Sequence, residues 1–274
     1  MRLRRKKEHH MSITTTKIGT LEYLTAQGIA VPHAFTTRLG GVSTAHSASL
    51  NLGMHRGDTA ENVEENYRIL GRALGFDPEK TVLTWQIHTD VVRNVSFDEH
   101  RGFDHRNYPQ CDGLITNTPG TALVIFTADC TPILLHDPVT GAVGACHAGW
   151  RGTAADIAGK TVLAMQRAFG CDPGQIRAAI GPNLGACCFE TDADVPQAML
   201  QTFGEAARDY IRPAGEKFYV NLKEINALAL RRAGVRHVEI STDCTMCQPE
   251  KYWSHRYTRG IRGSQGAIIV CKEV

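Results

Sequence analysis

Two periods of hydrophobic spacing divide this chain. In "DTAENVEENYRILGRALG", Val63, Tyr67, Leu70 and Leu74 recur every three or four residues, which predicts an amphipathic helix opened by Asp58 as N-cap and stopped at Gly75. "GTAADIAGKTVLAMQRAFG" predicts a second helix ending at Gly170. "VNLKEINALALRRAG" predicts a third, begun by a capping box of Asn221 and Glu224 and closed by Gly234. Short apolar, partly β-branched runs predict strands at "HAFTTR", "IRAAIG", "VRHVEIS" and "GAIIVCK", and "TVLTWQIH" and "VVRNVSF" read as two strands around a turn. "GGVSTAHSASLNLG" is a polar, glycine-rich loop. The elements alternate irregularly, without internal repeat or Pro/Gly-rich linker. The expectation is one α+β domain over residues 13–274, preceded by a disordered basic tail over residues 1–12.

The stretch "TADCTPILLHDPVTGAVGACHAGWRGT" carries chemistry as well as pattern. "DPVTG" reads as a tight turn, and "ALVIFTA" and "AVGACHA" as arms that fold back on one another. Facing residues of an antiparallel hairpin have position numbers of constant sum. With Pro138 and Val139 at the tip, Cys130 falls opposite His147, at roughly 5 Å between Cα atoms. A thiol and an imidazole at one spot serve either a metal ion or a nucleophile. A catalytic zinc takes three protein ligands, and His88, which ends "TVLTWQIH", is the best third candidate. His9 and His10 lie in the tail, His100 and His105 in a polar loop, and His136 beside the turn.

Composition narrows the class. At 274 residues, with 42% hydrophobic and 21% charged residues, the chain can bury a real core. No apolar run is long enough to span a membrane, and the basic start is followed by "SITTTKIGT" rather than an apolar segment, so a cytoplasmic protein is expected. Five of the 30 basic residues are Arg2, Arg4, Arg5, Lys6 and Lys7, so the rest of the chain carries 25 against 28 acidic residues and offers no basic stripe for nucleic acid. Nine cysteines, an odd number in a long chain, argue against a disulfide framework. Cys146, Cys171 and Cys271 read as small core residues. "CTMC", Cys244 and Cys247, is half of a zinc ribbon that Cys187 and Cys188 would have to complete in space, and small buried thiols near the cleft are the expected reading of these cysteines.

In order along the chain, "FTTRLGGVS", "SLNLGMHRGD", "WQIHTDVV", "CDGLIT", "TADCTPILL", "HAGWRGT", "AIGPNLGACCFE" and "YWSHR" closely resemble the signature blocks of the laccase-domain family, also called multicopper polyphenol oxidase-like. The resemblance runs from about His33 to the C-terminus. It implies a four-layer α/β/β/α arrangement with mixed sheets. It also implies purine nucleoside phosphorylase and adenosine deaminase activity, with the metal held by His88, Cys130 and His147 as the catalytic centre.

An open His₂Cys zinc can activate water against an amidine carbon. The H-x-E signature of the zinc deaminases is absent, leaving Asp112, Asp129 and Glu190 as acidic candidates. Phosphorolysis needs cationic donors for inorganic phosphate. Arg38, Arg151 and Arg256 lie in signature blocks, and Asn51 could contact ribose. The expected function is therefore zinc-dependent phosphorolysis of adenosine, inosine and related nucleosides, methylthioadenosine among them, with deamination of adenosine. The protein would act on small molecules, as a monomer or small homo-oligomer. Copper oxidation is the family's nominal alternative, but the trinuclear cluster of such oxidases needs H-x-H pairs and none occurs. A Cys130/His147 thiol hydrolase and a non-catalytic zinc-stabilised binding module are the others. After "YWSHR" the chain reads "YTRGIRGSQG", a departure from the family pattern that weakens a substrate role for Arg259 or Arg262.

Overall fold

The computed structural model describes residues 13–272, so the basic tail expected over residues 1–12 lies outside the described residues. Among the described residues, fifteen strands form two six-stranded mixed sheets and one small sheet. In the first sheet the order is β1 (Ile13–Ile18), β2 (Leu21–Ala26), β3 (His33–Thr36), β15 (Gln265–Val270), β7 (Ala122–Thr127) and β4 (Thr81–Leu83). In the second it is β14 (His237–Ile240), β10 (Arg177–Ile180), β8 (Thr131–His136), β9 (Val143–Ala148), β6 (Gly113–Thr116) and β5 (Val92–Asn94). The third sheet orders β11 (Glu190–Thr191), β13 (Lys217–Val220) and β12 (Ile211–Ala214).

Period-two alternation on the second sheet shows how the layers stack. Leu134 of β8, Val143 and Ala145 of β9 and Ala179 of β10 join a core with Leu123, Val124, Ile268 and Phe35 of the first sheet. Their neighbours Ile133, Leu135, Cys146, Ala178 and Ile180 face the other way, onto helices α3 (Ile157–Phe169) and α5 (Leu222–Arg232). Helix α1 (Ala60–Leu74) contributes Val63, Tyr67 and Leu70 to the first core. The result is the four-layer α/β/β/α arrangement of one mixed α/β domain, with most strands buried on both faces. This is why they read as continuous apolar runs rather than as alternation.

Several local expectations shift by a residue or an element. Helix α1 is capped by Thr59, whose side chain accepts the Asn62 N–H. Asp58 instead accepts from Thr59 N and from the amides of Asn51 and Asn62. The expected second helix is two, α2 (Trp150–Ala154) and α3. Asp156 breaks them by adopting a left-handed φ of 58° while its carboxylate caps Gly159. The capping residue Asn221 of α5 accepts the Glu224 N–H as the capping box implies.

The hairpin is corrected in both arms and register. β7 belongs to the first sheet, so the arm that pairs with β9 is β8. Pro132, not Cys130, faces His147, because the connection Asp137–Ala142 centres one residue later than a Pro138–Val139 tip. "TVLTWQIH" and "VVRNVSF" do not pair either. β4 joins the first sheet and β5 the second, and the segment between them crosses from one to the other. Strands β1 and β2, joined by a turn at Gly19, were not anticipated, nor were α4 (Asp194–Phe203) and the small third sheet.

Candidate metal centre and its cavity

Three chain segments meet at one end of the sandwich. The β4–β5 crossover carries His88, and the short β7–β8 crossover, Ala128–Cys130, carries Cys130. Both pass between the two sheets. His147 sits near the end of β9 and has the same parity as Val143 and Ala145, so it faces the first sheet, where the crossovers run. The ligand atoms of His88, Cys130 and His147 all lie within 4.8 Å of one another. The His88 and His147 rings face each other with centroids 5.0 Å apart.

Asp112, fully buried beside the start of β6, organises this end. Its Oδ1 lies 2.7 Å from His147 Nδ1, which leaves Nε2 as the nitrogen free to serve the centre. The same carboxylate accepts the N–H groups of Ile87 (3.1 Å), His88 (3.2 Å) and Thr89 (2.8 Å), fixing the loop in which His88 takes a left-handed φ of 62°. Its main chain joins in as well, with Asp112 O accepting from His147 N at 2.8 Å. Burial alone would raise the Asp112 carboxyl, but the His147 ring and these N–H donors hold it below the ordinary carboxylate range. Burial would lower His147, yet Cys130 and Asp112 push it up to about 9. His88 is lowered by burial and by the neighbouring His147.

The donor set fits a first-row divalent ion. Two imidazoles and a thiolate are zinc-type ligands, and three of them leave a position open. Gly149 makes the room. A Cβ there would stand 3.0 Å from His88 Nδ1 and 3.2 Å from Cys130 Sγ.

A cavity of about 360 Å³ opens above these groups. Phe126 and Phe189 supply aromatic wall, Gln86 and Ser264 polar wall, and Arg56, Arg256 and Arg262 cationic wall; His105, His255 and Asp129 also reach it. Burial and the Arg56 charge pull Arg262 down to about 10. Its Nε has no hydrogen-bond partner among the described residues. Asp129 takes a φ of 90°, and its carboxylate accepts from the Thr245 hydroxyl (2.6 Å) and from Arg256 N (2.7 Å).

Of the four substrate candidates read from sequence, Arg256 lines the cavity. Arg38 lies outside its lining, donating to Ala48 O and Pro249 O beneath Trp253. Asn51 is fully buried, and its Oδ1 accepts from Gly53 N and Ser264 N, both of residues that do line the cavity. Arg151 is exposed and stacks on Trp150, with its guanidinium carbon 4.2 Å from the ring centroid. Arg56 and His255 were not singled out in the sequence, His105 was set aside in a polar loop and a substrate role for Arg262 was doubted, yet all four line the cavity. Arg56 stands in the block "SLNLGMHRGD", and that signal was available.

The chain belongs to the family described as multi-copper polyphenol oxidoreductase laccase, whose sequence profile matches residues 32–272. Its relatives include the purine nucleoside phosphorylase YlmD of Geobacillus stearothermophilus, 37% identical over 87% of this chain and 89% of that protein. Human purine nucleoside phosphorylase LACC1 is 31% identical over 88% of this chain but only 56% of its own length. The crystal structure of YlmD from G. stearothermophilus superimposes with a TM-score of 0.88, covering 94% of this chain and 99% of that one.

Proposed function

We propose that the protein is a zinc-dependent purine nucleoside phosphorylase that also deaminates adenosine. The observation that carries the reading is the convergence of a three-ligand metal centre and three arginines on one cavity. A cavity of this volume suits a nucleoside beside one small anion. Such an ion would supply Lewis acidity at the cavity floor.

The chain's own residues divide the remaining tasks. Burial and the neighbouring Arg56 charge depress Arg262, and a phosphate dianion between the two arginines offsets that repulsion. Arg262 is held at the cavity wall by its own guanidinium, which donates to Gly263 O and to the Ser264 hydroxyl. Arg256 completes the anion site, its main chain held by Asp129 and its guanidinium by Glu190 O. Phe126 and Phe189 present aromatic surface for a purine. Asn51 acts one step removed, by setting the Gly53 and Ser264 backbone that walls the cavity. Asp112 has no free oxygen for proton transfer, so the titratable groups available to leaving base or water are Asp129, His105 and His255. A thiol-hydrolase role for Cys130 would leave His88, stacked opposite His147, without a task. Small-molecule substrates and a cytoplasmic location complete the proposal, in keeping with the absence, among the described residues, of any helix long and apolar enough to cross a membrane.

The test incubates metal-quantified protein with adenosine or inosine, with and without phosphate, and resolves products by chromatography. Phosphate-dependent release of base with ribose 1-phosphate, and inosine formed from adenosine, are expected. No product at full zinc occupancy overturns the proposal.

A further inference from the structure

Four cysteines outside this centre are gathered by the topology of the second sheet. β10 and β14 are parallel neighbours, and their ladder continues past both strand ends through a bridge between Asn183 and Cys244, with Thr245 N donating to Asn183 O at 2.9 Å. The loops that follow therefore leave the sheet side by side. One carries Cys187 and Cys188, the other Cys244 and Cys247, and the four sulfurs all lie within 4.8 Å of one another. Cys247 Sγ is 3.6 Å from Cys187 Sγ and 3.4 Å from Cys188 Sγ, and all four thiols are free. A tetrahedron with zinc–sulfur bonds of about 2.3 Å has edges of about 3.8 Å.

Backbone N–H groups converge on one of the four sulfurs. Cys244 Sγ accepts the Gly185 N–H at 3.2 Å, and the backbone of Met246 and Cys247 also donates to it. Gly185 gives the close approach, since a Cβ there would stand 3.1 Å from Cys244 Cβ and 3.3 Å from Cys187 Sγ. Lys223, a buried ammonium bonded to Ser241 O and Asp243 O, is the nearby cation. Core packing does not account for the group, because Cys187 and Cys247 are exposed. Cys111, Cys146, Cys171 and Cys271 take that role, each buried.

We propose that Cys187, Cys188, Cys244 and Cys247 form a second, structural zinc site, a closed tetrathiolate distinct from the His88/Cys130/His147 centre. Binding of Zn²⁺ displaces four thiol protons and leaves a site of charge −2, which Lys223 partly offsets. The ion ties the two loops that build one wall of the cavity. Thr245 bonds Asp129, Leu184 N donates to Asp129 O at 2.9 Å, and Phe189 directly follows Cys188. Asp129 in turn precedes Cys130 and holds Arg256 N.

Elemental analysis of the full chain tests this. About two zinc ions per chain are expected in the wild type, and about one in Cys130→Ser, in Cys247→Ser and in Cys187→Ser. Cys187 and Cys247 are exposed, so their substitution leaves the core intact. As a second measurement, cobalt titration of metal-free Cys130→Ser, in which all four cysteines of the cluster are intact, should give the charge-transfer absorption of a tetrathiolate. It should be absent when Cys247→Ser is added. A zinc content unchanged by Cys247→Ser, four freely reactive thiols in zinc-loaded protein, disulfides among these cysteines in non-reducing peptide maps, or iron in place of zinc would each overturn the proposal. Loss of nucleoside turnover would not bear on it, because metal content and cobalt absorption are read without substrate.

Discussion

Replacing Asp112 by Asn tests the centre at the residue that ties its segments together. The change is isosteric, but an amide has one acceptor oxygen and one donor nitrogen where the carboxylate has two acceptors. The native group serves four donors, His147 Nδ1 and the N–H groups of Ile87, His88 and Thr89. If the amide oxygen keeps His147 and His88, the NH₂ points at the N–H groups of Ile87 and Thr89, both now unsatisfied. Each hydrogen bond to a charged group contributes about 1.5–3 kcal/mol, and loss of one partner orienting a metal ligand typically costs 10–100-fold in affinity. Because Asp112 orients both the His147 ring and the His88 loop, the upper end applies: about 100-fold, or about 2.8 kcal/mol. The assay is chelator competition for zinc on metal-free protein, with thermal unfolding alongside. Zinc affinity within about twofold of wild type would refute the claim that this carboxylate preorganises the centre.

Gly149→Ala should cut zinc affinity at the His/Cys/His centre by at least about tenfold while the metal-free protein still folds. The φ of −65° is ordinary, and only the new Cβ, 3.0 Å from His88 Nδ1, intrudes. Arg262→Gln should raise the phosphate KM about tenfold or more with little change in the nucleoside KM, read by steady-state kinetics; equal effects on both would place Arg262 elsewhere than the anion site. His33 accepts the Ala26 N–H at Nε2 and lies against Val31 O through Nδ1, so it is buried neutral, and burial lowers it below the ordinary 6.5. An imidazole depressed in the fold leaves stability unaffected above its unfolded value, and stability is then lost as pH falls below it, since the unfolded chain takes up the proton first. Thermal midpoints should therefore fall as pH drops through about 6.5, and by less in His33→Gln. Leu114→Ala, at a fully buried position between the sheets, should cost about 2–5 kcal/mol in denaturant unfolding.

Local signals in the chain were informative wherever the physics is local. The stripe of Val63, Tyr67 and Leu70, the Asn221 capping box and the glycines that end α1 and α3 in left-handed conformations specify helices through neighbours three or four residues away. The missed β1–β2 hairpin had such a signal too, in the β-branched run "ITTTKI" before Gly19. The candidate donors His88, Cys130 and His147 were legible from residue type, although His88 lies in the β4–β5 crossover and not at the end of a strand, since β4 stops at Leu83. What the chain could not disclose was how they meet. Cys130 and His147 come together because a β7–β8 crossover between sheets passes the inner face of β9, not because they pair across a hairpin.

The amino-acid sequence determined by itself which side chains can bind a metal, where the main helices stop, and the family to which the chain belongs. Only the tertiary structure decided which sheet each apolar run joins. Such runs pair equally well with many partners, and the choice is made by burial against elements far away in sequence. It also decided that Arg56, Arg256 and Arg262 share one cavity, and that two loops after parallel strands bring four cysteines to one point. Separations of up to about 200 residues are closed there by sheet topology alone, and no local periodicity encodes them.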